Sequence, residues 1–132
     1  MTYLLDTQAF LFAAFAPTKL SKKARGILVD QQNEILVSVV TFWEISLKYA
    51  LGKLDLKGVG PDDMPEVSGT MGFTTLDLSA SDASRVHELP PTAHKDPFDR
   101  MLIWQAIRQG HVLVSRDSSF GKYHALGLKT IW

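Results

Sequence analysis

The chain has 132 residues, of which 45% are hydrophobic and 21% are charged, a composition typical of one folded domain with a single core. It contains no cysteine, which excludes disulfide scaffolds, zinc–thiolate sites and thiol nucleophiles, and it has no apolar run of the ~18 residues that a membrane span needs. Fourteen basic and fourteen acidic residues give a formal charge of zero, which weighs mildly against a nucleic-acid binder, since such proteins often carry a basic excess.

The first half of the chain alternates between apolar segments typical of strands and segments with helical periodicity. Residues 35–40 are rich in β-branched side chains and favour a strand, whereas Ser21 is suited to cap a helix. In chain order we predict a strand over 2–5, a helix from Thr7 to Pro17, a helix from Ser21 to about Gln31, a strand over 35–40 and a helix over 41–51 that is closed by Gly52.

The helix predicted over 41–51 carries apolar side chains on two faces. Because both faces are apolar, we expect this helix to be buried between the sheet and a neighbouring element. One face holds Phe42, Ile45 and Tyr49, and the other holds Trp43, Leu47 and Ala50.

The second half begins with a glycine- and proline-rich stretch, 57–72, which favours a loop with one short helix before Gly72. Asp96 and Pro97 form a strong helix start, with a capping acid followed by proline at the first helical position. The further predicted elements are a strand over 73–76, a helix from Ser79 or Ser81 to His87 or Glu88, a helix from Asp96 to Gln109, a strand over 111–115 and a strand over 128–132.

This alternation predicts an α/β fold, a three-layer α/β/α sandwich around a mostly parallel sheet of about five strands. We expect one domain over residues 1–132. The first six residues lack the basic and long apolar regions of a signal peptide, so we expect a cytoplasmic protein. In such sheets the ligand site lies beyond the carboxyl ends of the strands, near the point where the strand order reverses.

Four acids fall where this fold would place a ligand. Asp6 and Asp117 directly follow predicted strands, and Glu44 and Asp99 fall in the first turns of predicted helices. Each acid alone is explained by capping: residues 41–44 fit a capping box, Asp99 follows the cap Asp96, and the other two suit turns.

Together the four acids favour a metal site. Three of them sit beside strongly apolar strands, where a carboxylate is unfavourable unless a cation or a full set of hydrogen-bond donors offsets its burial. Hard oxygen ligands without cysteine, and without histidines at metal-binding spacing, favour Mg²⁺ or Mn²⁺ over zinc. Such ions can activate water for the hydrolysis of phosphodiesters.

Other signals are weaker. His94 lies beside the acidic segment, but without a partner pattern it is best interpreted as a loop histidine with a local hydrogen bond. The serines around Asp117 lack a nucleophile elbow, and no P-loop or dinucleotide motif occurs. We interpret the lysine clusters 19–23 and 48–57 as solvated helix faces, and Trp104 as a core residue.

Four segments together resemble the PIN domain family, and more narrowly the VapC-type ribonuclease toxins of bacterial toxin–antitoxin modules. The resemblance covers essentially the whole chain, and it rests on the order and spacing of the segments, each of which is weak alone. They are Leu4-Leu-Asp-Thr-Gln-Ala-Phe10, Val40-Thr-Phe-Trp-Glu-Ile-Ser46, His94-Lys-Asp-Pro-Phe-Asp-Arg-Met-Leu-Ile-Trp-Gln-Ala106 and Leu113-Val-Ser-Arg-Asp-Ser-Ser-Phe120.

The resemblance implies an endoribonuclease that uses Mg²⁺ or Mn²⁺ held by Asp6, Glu44, Asp99 and Asp117. It also implies an RNA substrate, a cognate antitoxin and a homodimer, with a cap-like supporting role for Asp96. Beside these ligands we expect Thr7 and Ser115 to orient the carboxylates, and Arg100 and Arg116 to hold RNA phosphates.

The alternative is a PIN-like interaction module without catalysis, in which the acids serve only as caps. Receiver domains and aspartyl phosphatases also place acids at strand ends. The first class needs an adjacent acid pair after its first strand, and the second needs Asp-x-Asp there. Asp6 is followed by Thr7 and Gln8, so both patterns fail.

Overall fold

The computed structural model describes residues 1–91 and 94–132, and a sheet of five parallel strands forms its centre. The strand order is β3-β2-β1-β4-β5, so the order reverses between β1 and β4. The predicted parallel sheet of about five strands is confirmed. The strands are β1 (Thr2–Leu5), β2 (Glu34–Ser38), β3 (Thr74–Leu76), β4 (Val112–Val114) and β5 (Lys129–Ile131).

Helices cover the connections between the strands. None of those in the described ranges is long and apolar enough to cross a bilayer. The α-helices are α1 (Thr7–Phe15), α2 (Lys22–Val29), α3 (Val39–Ala50), α4 (Met64–Thr70), α5 (Ala80–Arg85) and α6 (Pro97–Gln109). Short 3-10 segments lie at Pro17–Lys19, Pro61–Asp63, Val86–Glu88 and Ser118–Leu126.

The three central strands β1, β2 and β4 are buried on both faces of the sheet, as successive residues that point to opposite sides are buried alike. On β1, Tyr3 and Leu5 pack into the core shared with α1 to α4, whereas Leu4 packs into the core shared with α6 and the segment Ser118–Leu126. Apolar side chains on both faces are typical of a parallel sheet between two helical layers. The predicted three-layer sandwich is confirmed.

The start of α3 differs from the prediction. The helix begins at Val39, with Ser38 as its N-cap through a hydrogen bond that Val40 N donates to Ser38 Oγ at 3.1 Å. The predicted start at Thr41 is therefore wrong, and so is the capping box that it implied. Val39 and Val40 are β-branched and favour a strand by propensity, but the serine cap stops the strand two residues earlier.

The prediction that α3 is buried on two faces is also wrong. Ile45 is fully buried, but Trp43 is 62% exposed and Leu47 is 42% exposed. Trp43 keeps one edge-on contact with Phe98, at 4.9 Å between ring centroids. The helix therefore packs on the sheet through one face and leaves its second apolar face at the surface.

A nine-residue 3-10 segment, Ser118–Leu126, was not predicted between the last two strands. It carries the connection from β4 back to the parallel strand β5, and it buries Phe120 and Tyr123. Its sequence lacks the 3.6-residue periodicity of an α-helix, so hydrophobic patterning does not reveal it.

Candidate active site

The predicted acids line one cavity of about 550 Å³. It lies beyond the carboxyl ends of β1 and β4, where the strand order reverses. Asp6 follows β1, Asp117 follows β4 by two residues, and Asp99 lies in the first turn of α6. Glu44 lies in the second turn of α3 and Asp96 caps α6. The structure thus brings all five carboxylates to the position that the fold favours for a ligand.

Asp6 is a buried carboxylate that caps α1. Its Oδ1 accepts a hydrogen bond from Ala9 N at 2.8 Å, and Ser115 donates a second hydrogen bond to this carboxylate. Burial, helped by the charges of Glu44 and Asp117, raises the pKa of Asp6 from 3.8 to about 6 despite these hydrogen bonds. The capping hydrogen bonds therefore do not fully offset the burial of the Asp6 carboxylate and its repulsion by Glu44 and Asp117.

Asp99 follows the cap of α6 and points into the same cavity. Asp96 Oδ1 accepts hydrogen bonds from Phe98 N at 2.9 Å and Asp99 N at 3.2 Å, as the sequence predicts for this helix start. Burial, followed by the charges of Asp96 and Glu44, raises the pKa of Asp99 from 3.8 to about 6. The carboxylates are thus close enough to repel one another.

A hydrogen-bonded chain joins Asp99 to Asp117 through His94 and Ser119. His94 Nε2 lies 3.1 Å from Asp99 Oδ2, and His94 Nδ1 lies 3.4 Å from Ser119 Oγ. Ser119 donates to Asp117 Oδ1 from its hydroxyl at 2.6 Å and its amide at 2.9 Å, which lowers the pKa of Asp117. The interpretation of His94 as a loop histidine with a local hydrogen bond agrees with this contact, but the sequence does not identify Asp99 as its partner.

Glu44 is almost fully buried, and side chains of this same protein engage both of its oxygens. Thr7 donates a hydrogen bond from Oγ1 to Glu44 Oε1 at 2.7 Å, and the Thr7 hydroxyl also lies 3.1 Å from that of Thr41. Lys48, one helical turn further along α3, forms an ion pair with Glu44 Oε2. Thr7 is therefore placed where the sequence proposed it, beside a carboxylate of the site.

Four lysines also line the cavity, together with one further acid that sequence reasoning missed, Asp55. Burial alone would lower the pKa of Lys48, but its hydrogen bond to Glu44 and the charges of Glu44, Asp96 and Asp99 raise it. These lysines, which were expected to be solvated helix faces, are Lys19, Lys48, Lys53 and Lys57. The spacing of Glu44 and Lys48 at i and i+4 was the sequence signal for the ion pair.

The two arginines proposed to hold phosphates differ in their surroundings. Arg100 donates to Leu89 O at 2.9 Å, to Pro90 O at 3.3 Å and to the Tyr123 hydroxyl at 3.2 Å, which weighs against a role in substrate binding. Arg116 is exposed, and its guanidinium lies 5.8 Å from the centre of the Phe12 ring, which belongs to the cavity wall.

The donor set fits a divalent cation of the hard, oxygen-binding kind. Within residues 1–91 and 94–132 no three acidic or histidine side chains form a ready-made cage, and Glu44 and Asp117 are bonded to Lys48 and Ser119. Asp6 is buried and Asp99 is partly buried, and neighbouring carboxylates raise the pKa of each: Glu44 and Asp117 act on Asp6, and Asp96, Glu44 and Asp6 act on Asp99. A cation between them would relieve that repulsion, so Asp6 and Asp99 would hold the ion, with Glu44 and Asp117 adjacent.

Comparisons with known proteins identify the family to which this fold belongs. The family model of the PIN domain matches residues 3–126. Among solved structures, VapBC2 from Rickettsia felis, bound to a DNA fragment from its promoter, aligns with a TM-score of 0.71 at 18% identity, covering 99% of this chain and 98% of that one. VapBC-1 from nontypeable Haemophilus influenzae aligns with a TM-score of 0.64 at 13% identity, covering 99% and 97%.

A third similar structure is DNA-bound VapBC from Salmonella typhimurium, with a TM-score of 0.61 at 18% identity over 99% of this chain and 97% of that one. No curated protein matches the sequence. At these identities the structural likeness establishes the fold, while the family match spans nearly the whole chain. The chain therefore belongs to the PIN domain family.

Proposed function

We propose that this protein is a metal-dependent endoribonuclease and the toxin of a toxin–antitoxin pair. The observation that carries the proposal is the convergence of Asp6, Glu44, Asp99 and Asp117 in one cavity of a PIN domain. VapBC complexes are among the structures that resemble the chain over nearly its whole length, which supports the toxin assignment.

In this proposal the buried carboxylate of Asp6 and the partly buried carboxylate of Asp99 would hold the ion, with Asp117 beside them as a further ligand, and Glu44 would complete the site or orient the attacking water. A bound Mg²⁺ or Mn²⁺ supplies Lewis acidity, which polarises the scissile phosphate and lowers the pKa of water. Thr7 fixes the orientation of Glu44, and Ser115 fixes that of Asp6. Lys19, Lys53 and Lys57 attract the RNA backbone to the cavity mouth.

Substitution of Asp99 tests the nuclease directly. Asp99→Asn keeps the size of the side chain but removes a charge that the ion needs, so metal-dependent cleavage of RNA by the purified protein should fall by at least about a hundredfold. Glu66→Gln, which removes an exposed acid on α4, is the matched control and should cleave like the wild type. Full cleavage by Asp99→Asn would refute the assignment.

The toxin assignment is tested in cells. Expression of the chain should arrest growth, and co-expression of the small protein encoded beside it should restore growth and co-purify with the chain. Mapping of RNA ends should then reveal discrete cleavage sites, and light scattering should report a homodimer. Growth arrest by Asp99→Asn equal to that by wild type would argue against a toxin that acts by cleavage.

The competing function is a non-catalytic interaction module, and one observation favours it. Asp6, Asp96 and Asp117 each cap a helix, so capping alone accounts for their presence. Capping does not account for Glu44, which lies inside α3, nor for the raised pKa of Asp99. Purified protein that binds its partner but never cleaves RNA with Mg²⁺ or Mn²⁺ would identify the module.

A further inference from the structure

Lys48 provides the acidic cavity with a positive charge that belongs to the chain itself. Its ammonium pairs with Glu44 Oε2, and the charges of Asp96 and Asp99 also act on it. The lysine side chain is 41% exposed, whereas that of Glu44 is only 5% exposed. The ion pair therefore joins a solvent-accessible ammonium, that of Lys48, to a buried carboxylate, that of Glu44.

The remaining oxygen of Glu44 keeps its orientation without Lys48. Thr7, at the start of α1, donates to Glu44 Oε1, and the Thr7 hydroxyl contacts that of Thr41 within α3. Glu44 is thus tied to α1 and α3 by neutral partners, and the ion pair is not needed to aim its side chain. What Lys48 contributes is charge at Oε2.

A divalent cation in the cavity and the Lys48 ammonium would compete for the same carboxylates. Both are attracted to Glu44 and to Asp99, and each repels the other. A metal ion that enters the cavity must therefore displace Lys48 from Glu44 or accept its repulsion at close range.

We infer that Lys48 acts as an internal counter-ion, which competes with the metal for Glu44 and thereby weakens metal affinity. The inference rests on the proposed function, since it presumes that the acids hold a divalent ion. It assigns to this chain a built-in limit on metal occupancy, so the nuclease would be loaded only where the free metal concentration is high enough to displace the ammonium.

The sign of one measurement separates this role from a structural one. If Lys48 served to aim Glu44 at the metal, its removal would weaken metal binding. If it competes with the metal, Lys48→Met should tighten binding of Mg²⁺ or Mn²⁺, by about tenfold or more, since a like charge at such short range opposes the ion strongly. Titration calorimetry of the purified full chain measures this without any cleavage assay.

Matched variants define the cause. Lys48→Arg keeps the charge and should bind metal within about threefold of wild type. Lys53→Met removes a lysine that lines the same cavity but makes no ion pair with another described residue, and its effect should be clearly smaller. In a Glu44→Gln background, Lys48→Met should increase metal affinity by a smaller factor, because the carboxylate for which Lys48 and the metal compete is absent. Circular dichroism confirms folding, and Lys48→Gln replaces Lys48→Met if the methionine variant is unstable.

Unchanged or weaker metal binding by folded Lys48→Met and Lys48→Gln would overturn the inference while leaving the nuclease intact. Failure of the proposed function gives a different result, because the wild type would then bind no divalent ion and cleave no RNA. A gain of affinity that is equally large in the Glu44→Gln background would also overturn the inference, since the competition would not act through Glu44.

Discussion

Three acidic side chains of the site have two roles at once. Asp6, Asp96 and Asp117 each accept backbone hydrogen bonds at a helix start, and each also lines the cavity. The roles are compatible because a cap holds its carboxylate rigidly through one oxygen and leaves the second available. Capping thus orients the carboxylates before a cation binds, and a site for a hard cation benefits from ligands that are already in place.

The raised pKa of Asp99 predicts how the stability of the metal-free protein depends on pH. An acid whose pKa is higher in the folded state than in the unfolded state stabilises the fold fully below its unfolded pKa of 3.8, and this contribution is lost as the pH rises through about 6. In EDTA, the free energy of unfolding of Asp99→Asn should therefore be similar to that of wild type at about pH 4, and it should be higher by about 1–3 kcal/mol at about pH 8. Urea unfolding at both pH values measures the difference.

Addition of Mg²⁺ should reverse that order at the higher pH. The ion stabilises only the protein that binds it, so wild type gains free energy of unfolding and Asp99→Asn gains little. A difference between the two proteins that is the same at both pH values in EDTA would contradict the assignment of unbalanced charge to Asp99.

Among the secondary-structure elements, the start of α3 matters most to the site. Ser38 ends β2 and caps α3, and its hydroxyl also donates to Gln105 Oε1 on α6 at 2.6 Å. Val40 packs with Phe98 and Leu102 in a small core between the starts of the two helices. These contacts fix α3 against α6, and so hold Glu44 in the same cavity as Asp99.

Ser38→Ala should therefore destabilise the protein by about 2–3 kcal/mol, because it removes the cap of α3 and leaves a buried oxygen of Gln105 without its donor. Ser21→Ala is the comparison, since Ser21 caps α2 through Ala24 N and lies partly exposed. It should lose only about 1 kcal/mol. Equal losses of unfolding free energy for the two variants would contradict the double role of Ser38.

The elements that the sequence predicted correctly are those with strong local signals. Asp96, Pro97 and Gly110 mark both ends of α6, and apolar runs mark β1 and β4. The sequence places Glu44 in the cavity, as the structure does, but in a capping box that does not exist. The error arises because Val39 and Val40 favour a strand by propensity, so the start of α3 was predicted two residues too late. The spacing of Glu44 and Lys48 indicates their ion pair, but local sequence does not show that Lys48 lines the cavity, nor that the partner of His94 is Asp99, because both depend on how the chain folds around the site.

On the scale of the whole molecule, a formal charge of zero conceals an uneven distribution. The exposed residues Lys19, Lys53 and Lys57 line the same cavity as the buried acids Asp6 and Glu44. A bound divalent ion would offset part of that negative charge, and the exposed lysines would then present positive charge to a polyanion. Zero net charge is therefore a poor argument against nucleic-acid binding when the acids are grouped in one cavity.

These exposed lysines predict a specific kinetic change. The double variant Lys53→Gln, Lys57→Gln should raise KM for RNA by about three- to tenfold at low salt and make KM less sensitive to salt, because each lost phosphate contact reduces the counterion release that drives binding. Lys22→Gln with Lys23→Gln, on the exposed face of α2, is the control and should leave KM unchanged. Steady-state cleavage at several salt concentrations measures KM for both double variants. Equal effects of the two pairs would refute a role of Lys53 and Lys57 in RNA binding.

The order of the strands also determines when, during translation, the proposed nuclease can exist. β1 leaves the ribosome early, but in the folded sheet it lies between β2 and β4, and β4 is made long after it. A nascent chain that ends after β3 lacks two of the five strands, β4 and β5, together with Asp99 and Asp117. Under the proposed function, the growing polypeptide would therefore be inert until Asp117 has emerged, and the interval in which an antitoxin would have to capture it would open only after that residue has been made.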